Sequence, residues 1–146
     1  MNTAATTNPR LSLDLTGAVI PNDMITINFQ ANLGSEKAAG HEASGAAADA
    51  SWIGFGLQPV LKAGAAFVGA RFEYFKDTKG ARTGGPNDPS FINFTITPGY
   101  TFDNAFTLRA EFRYDSASEE ILGVPQAGSP LKKNQSTVAL SAHYVF

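Results

Sequence analysis

The first residues that could do chemistry are charged side chains spaced two apart. Arg109, Glu111, Arg113 and Asp115 fall on alternate positions, and Arg71 and Glu73 repeat the spacing. On an extended strand residues two apart share a face, so this pattern sets opposite charges about 7 Å from one another along one side. Such a row can be an ion-pair network that stiffens a wall, or a strip along an aqueous path that sets an ion preference. The residues alone leave both open. Catalysis has little to work with. No nucleophile, base and orienting group come together, and Gly80, Gly84 and Gly85 are followed by nothing helical that could cradle a phosphate. The chain has no cysteine and two histidines, His41 and His143, far apart in sequence. No metal site, no cofactor and no enzymatic activity are expected, and His143 is read as a solvated or lumen-facing imidazole.

Composition narrows the class. The 146 residues suit one domain, 1–146, and 43% of them are hydrophobic against 16% charged, with 11 Phe, 4 Tyr and 1 Trp, which excludes a disordered tail. A formal charge of -2 is too balanced for a nucleic-acid partner. Mean hydropathy is -0.10, and no apolar run approaches the eighteen or so residues of a membrane-spanning helix. Residues 1–10 lack the basic start and apolar centre of a secretory signal.

The elements that must position the charges are strands, because the hydrophobic period is two. Phe106, Leu108, Ala110, Phe112 and Tyr114 alternate with Thr107, Arg109, Glu111, Arg113 and Asp115. The same division recurs in Ile25 to Leu33, in Ile92 to Tyr100 and in Val138 to Phe146. Leu11 to Val19, Trp52 to Val60 and Ala65 to Phe75 alternate less cleanly. Seven strands of about nine to eleven residues suit a tilted crossing of a bilayer. Short links at Ile20 to Met24, Leu61 to Gly64 and Thr101 to Ala105 take turns with long ones at Gly34 to Ser51, Lys76 to Ser90 and Ser116 to Ser136. That is the layout of an all-β, antiparallel, up-and-down transmembrane barrel.

Parity predicts the facing. Tyr100 is expected opposite Phe106, Pro98 opposite Leu108, Ile96 opposite Ala110 and Phe94 opposite Phe112, which sets Thr97 beside Arg109, Thr95 beside Glu111 and Asn93 beside Arg113. The expected pore-lining set is Arg71, Glu73, Asn93, Thr95, Arg109, Glu111, Arg113, Asp115 and His143. Tyr100, Phe106, Tyr144 and Phe146 gather at the short-turn rim, and Phe72, Tyr74, Phe112 and Tyr114 at the other, as aromatic girdles at two lipid interfaces would. A soluble sandwich or lipocalin-like barrel would also alternate, but Thr26, Asn28, Gln30 and Asn32 suit a wet lumen better than open solvent. Arg109 and Arg113, with Asp115 screened at the outer rim, predict weak anion preference. The loop from Lys76 to Ser90 is expected to be external and solvated, the alternative being an inward constriction through Asp77, Lys79, Arg82 and Asp88.

The stretch Phe72 to Gly84, with Thr95-Ile96-Thr97-Pro98-Gly99-Tyr100 and Leu108-Arg109-Ala110-Glu111-Phe112-Arg113-Tyr114-Asp115, resembles the C-terminal part of the OmpL-like β-barrel porins of Gram-negative bacteria. The ending Ala142-His143-Tyr144-Val145-Phe146 resembles the terminal aromatic signature read by the barrel-assembly machinery. The resemblance implies a bacterial outer-membrane porin for passive diffusion of small hydrophilic solutes or ions, with lipid and that machinery as partners and a homo-oligomer compatible with it. The alternative is a small non-conducting barrel with a structural or adhesive role. Seven is an odd count, and bacterial single-chain barrels are even, so the chain is expected to be the C-terminal portion of a larger barrel, with residues 1–10 an external loop or disordered start.

Overall fold

The computed structural model describes residues 8–42, 44–84, 87–123 and 130–146. Together they form one antiparallel sheet of seven strands: β1 (Arg10–Asn22), β2 (Ile25–His41), β3 (Ala47–Ala63), β4 (Ala66–Thr78), β5 (Ser90–Phe102), β6 (Phe106–Ala117) and β7 (Asn134–Tyr144). Each strand pairs with its neighbour in the chain, in the order β1 to β7. Among the described residues no ladder joins β7 back to β1, so the sheet is open along two edges.

The short links are tighter than the sequence suggests. The Asn22 side chain accepts from the backbone N–H groups of Met24 and Ile25, both at 3.0 Å, mimicking a backbone turn. Asp103 and Asn104 adopt positive φ, which their short polar side chains tolerate. Two further expectations change. The strands span up to 17 residues rather than nine to eleven, and most of the expected loop from Gly34 to Ser51 is a continuation of the β2–β3 hairpin. Gly34, Ser35 and Glu36 stay in register with Trp52, Ser51 and Ala50, and after a bulge Gly40 pairs with Ala48. At the bulge Ala38 has φ 51, and its N–H donates to Asp49 at 3.2 Å. The strands outlast the alternation because backbone pairing does not require an apolar face. Of the expected external start, residues 1–7 lie outside the described residues, and Arg10 already belongs to β1.

The β5–β6 register departs from expectation by two residues. Tyr100 pairs with Leu108, Ile96 with Phe112, Phe94 with Tyr114, Thr95 with Arg113 and Asn93 with Asp115. The turn causes the shift, since Phe102 pairs with Phe106 and leaves only Asp103, Asn104 and Ala105 between the strands. A slip of two keeps every side chain on its face, so the facing survives while the partners change.

The sheet curls with its polar face inward. Residues of all seven strands, from Asp14 on β1 to Thr137 on β7, line one cavity of about 770 Å³. The outward face is apolar and bare: Leu13 is 64% exposed and Leu140 83%. Ala50, Trp52 and Ala117 are the buried hydrophobic residues among those described. The surface of 10150 Å² is about 40% above the roughly 7,200 Å² of a folded soluble chain of 15.4 kDa. A soluble sandwich would need a second layer over this face, and the described residues supply none.

Candidate functional site: the polar trough

Alternation aims every second side chain of each strand into the trough, and its walls differ in chemistry. On β1 to β3 the inward positions carry Asp14, Thr16, Asn28, Gln30, Asn32 and Gln58, mostly uncharged. Asn32 donates to Asp14 Oδ1 at 2.5 Å and to Ser12 Oγ at 3.3 Å, and its own oxygen accepts from Trp52 Nε1 at 2.6 Å. The Trp52 ring lies flat over Gly34, where an added Cβ would meet Cζ2 at 2.0 Å. Trp52 therefore belongs to the polar face, filling the space that glycine leaves.

The wall of β4 to β6 is charged and largely neutralises itself. Arg113 forks onto Asp115, its Nε donating to both carboxylate oxygens at 2.9 Å and a terminal nitrogen lying 2.8 Å from Oδ1. Asn93 also donates to Asp115, and the Thr95 hydroxyl donates to Asn93 at 3.2 Å. Arg71 Nε lies 3.4 Å from Glu73 Oε2 but is buried and misaligned for a hydrogen bond, so that pair is an electrostatic contact alone. Arg109 breaks the pattern. Its Nε donates to Ser141 Oγ on β7 at 2.7 Å, leaving Glu111 to accept from the Thr97 hydroxyl at 3.3 Å.

All nine residues expected to line the pore share this face. Glu73, Asn93, Glu111, Arg113 and Asp115 meet in the main cavity, and Arg71 joins Gln30, Gln58 and Glu73 in an adjoining one of about 480 Å³. Thr95 is buried in the wall, while Arg109 and His143 stand exposed toward the short-turn rim. The expected positive strip is not formed. The Asp115 side chain is 15% exposed, too enclosed for salt to screen it, and it neutralises Arg113. Among the trough residues, Asp14 and Glu111 are the acids without a basic partner in the ion pairs described.

Aromatic rings stand on the bare face near both rims. Tyr100 and Phe102 lie 4.6 Å apart and Phe102 and Phe106 6.0 Å apart toward the short turns. Phe55 lies 5.6 Å from Tyr74 and 6.0 Å from Phe72 toward the other rim. Tyr114 and Tyr144 share this outer face, with the Tyr114 hydroxyl donating to Asn134 at 3.0 Å. Phe146 lies beyond the end of β7, fully exposed. Sequence reasoning missed several contributors. Asp14 and Trp52 sit on strands whose alternation glycines blur, and Phe75 and Phe91 face inward with rings 6.3 Å apart, against the rule that aromatics face out.

The inside-out distribution of polarity is what a barrel in lipid requires, and comparison with protein families agrees. A family model described as "Putative beta-barrel porin-2, OmpL-like" matches residues 2–146. The chain belongs to this family. No curated protein and no solved structure matches it. For a member of the OmpL-like porin family, the trough is the candidate path, and its two unlike walls are the feature to explain.

Proposed function

We propose that the chain forms the wall of an outer-membrane porin through which small hydrophilic solutes or ions diffuse passively, without catalysis or cofactor. The observation that carries this reading is the polar trough lined by all seven strands, backed by a continuous bare apolar face. Lipid is the natural cover for that face. From Phe106 to Tyr114 the aromatic edges are eight residues apart, about 27 Å along the strand and roughly 20 Å along the membrane normal at the usual tilt, near the height of an apolar band. In hydrocarbon the two open edges must find strand partners, because each unpaired backbone group costs several kcal/mol there. At about 770 Å³ the polar cavity is far larger than one water needs, which favours a wet interior. The C-terminal strand and Phe146 are the proposed contact for the barrel-assembly machinery, and a homo-oligomer is compatible with the bare face.

The inward Trp52, Phe75 and Phe91 favour the second reading, a narrow barrel with a filled interior and a structural or adhesive role. Planar-bilayer recording separates the two. Discrete ohmic steps from the inserted protein are expected, and insertion without steps establishes the non-conducting barrel.

A further inference from the structure

The first part of the connection between β4 and β5, residues 79–84, folds back onto Trp52 on the polar face. At its root Asp77 is fully buried beside Trp52, a costly place for a carboxylate unless it is well bonded. Its Oδ2 accepts from the backbone N–H of Arg82 at 2.9 Å, and from the backbone N–H and hydroxyl of Thr83, both at 2.8 Å. At the other root Pro89 is also fully buried, and its carbonyl accepts from the Asp77 N–H at 2.9 Å. The Lys79 N–H donates to Asp88 at 2.7 Å, and the Lys79 ammonium reaches Glu42 on the β2–β3 connection at 3.1 Å. Arg82 and Thr83 stay exposed, as expected of a solvated loop, and the departure lies at its root, where the buried Asp77 carboxylate gathers their N–H groups.

The consequence falls on Arg82. Its guanidinium carbon stands 4.8 Å from the centre of the Trp52 ring, with Arg10 5.8 Å from the same centre. Arg10 is neutralised by Glu36 at 2.8 Å, whereas none of the ion pairs among the described residues includes Arg82. The exposed Arg82 guanidinium thus stands at the long-loop mouth, with the carboxylate that accepts from its backbone N–H buried beneath it at Asp77, and Asp14 and Glu111 lie deeper in the trough.

We propose that Arg82, held on Trp52 by Asp77, is a selectivity-determining residue of an inward-folded constriction that favours small anions at the long-loop mouth. The proposal rests on the porin reading and adds to it the residue that meets the solute first. Trp52 is the one tryptophan in the chain, so its fluorescence reports the contact independently of conduction. In bilayers under a salt gradient, Arg82→Glu should move the permeability ratio toward cations by about three-fold at low salt, the shift fading once the Debye length falls below about 10 Å. Arg82→Lys should preserve the original ratio. Arg82→Ala and Asp77→Ala should each raise the conductance and make Trp52 more open to acrylamide quenching. Should Asp77→Ala fail to fold, the exposed Arg82 still decides the matter. Channels that open normally with an unmoved ratio in Arg82→Glu overturn the constriction and leave the porin reading standing, as does unchanged quenching in Arg82→Ala. A closed wild-type barrel that inserts and never conducts overturns the porin reading, and the constriction with it.

Discussion

Arg109 and Ala110 are neighbours in the chain and face two different solvents. Arg109 points into the trough and donates to Ser141, while Ala110 lies on the bare face opposite Leu140. The polar face spends its chemistry on specific partners, with Asn32, Asn93, Thr95, Thr97, Arg109 and Arg113 each finding an acceptor across or along a strand. The apolar face offers no such partners and relies on whatever covers it. Order inside the trough is therefore encoded residue by residue, whereas the outer face needs only a correct average composition.

The sharpest way to break this contrast is to place one side chain on both faces. Ala110→Arg should destabilise the barrel by about 2 to 4 kcal/mol, as a charge near mid-bilayer does, while Ala139→Arg, facing the trough opposite Glu111, should change stability by about 0.5 kcal/mol or less. Folding titrations in lipid vesicles measure both, and equal costs would mean that the bare face does not meet hydrocarbon. A smaller effect is expected within the polar face. Asp115→Ala leaves Arg113 and Asn93 without their shared acceptor, an expected loss of about 1 to 3 kcal/mol. Urea titration of the variant checks it, and no loss would show that water already satisfies the pair.

The smallest effect lies where the hairpin of β2 and β3 leaves the trough behind. The Lys37 ammonium donates to Asp49 at 2.5 Å; this bond first, then the one from the Ala38 N–H, holds the Asp49 carboxyl below its usual value. A carboxyl depressed by folding adds stability that is complete above its unfolded pKa and is lost as the pH falls through its folded pKa. Protection of the hairpin tip from proteolysis should decline only in that acid range, and Lys37→Met should raise the pH at which the decline begins. An unaltered onset would show that the exposed pair holds nothing.

How much of this was legible depends on symmetry. The face of each residue follows from parity, so Arg71, Glu73, Asn93, Thr95 and the ladder from Arg109 to Asp115 could be assigned to one side from the sequence. Register could not, because moving β6 by two residues leaves every face intact, and only the Asp103-Asn104-Ala105 turn distinguishes the two alignments. Aromatic rings over glycines break the same degeneracy elsewhere: Phe67 covers Gly99, Trp52 covers Gly34 and Phe29 covers Gly17, each too close for a Cβ. In the sequence those glycines merely dilute the alternation. The inward turn at Asp77 was equally hidden, since a buried carboxylate that gathers backbone N–H groups leaves no period behind it.

The strictly sequential strand order has a kinetic consequence. Every ladder joins chain neighbours, so the sheet can grow as a succession of hairpins, each closing only its own connection. Those connections are unequal. Asp23 and Met24 alone separate β1 from β2, whereas residues 118–133 separate β6 from β7. Closing a segment about eight times longer costs roughly 2 kcal/mol more in chain entropy, offset in part by the bridge between Leu122 and Lys132. The hairpin of β6 and β7 therefore carries the largest closure cost of the six, and β7 is expected to dock after the hairpins before it have zipped.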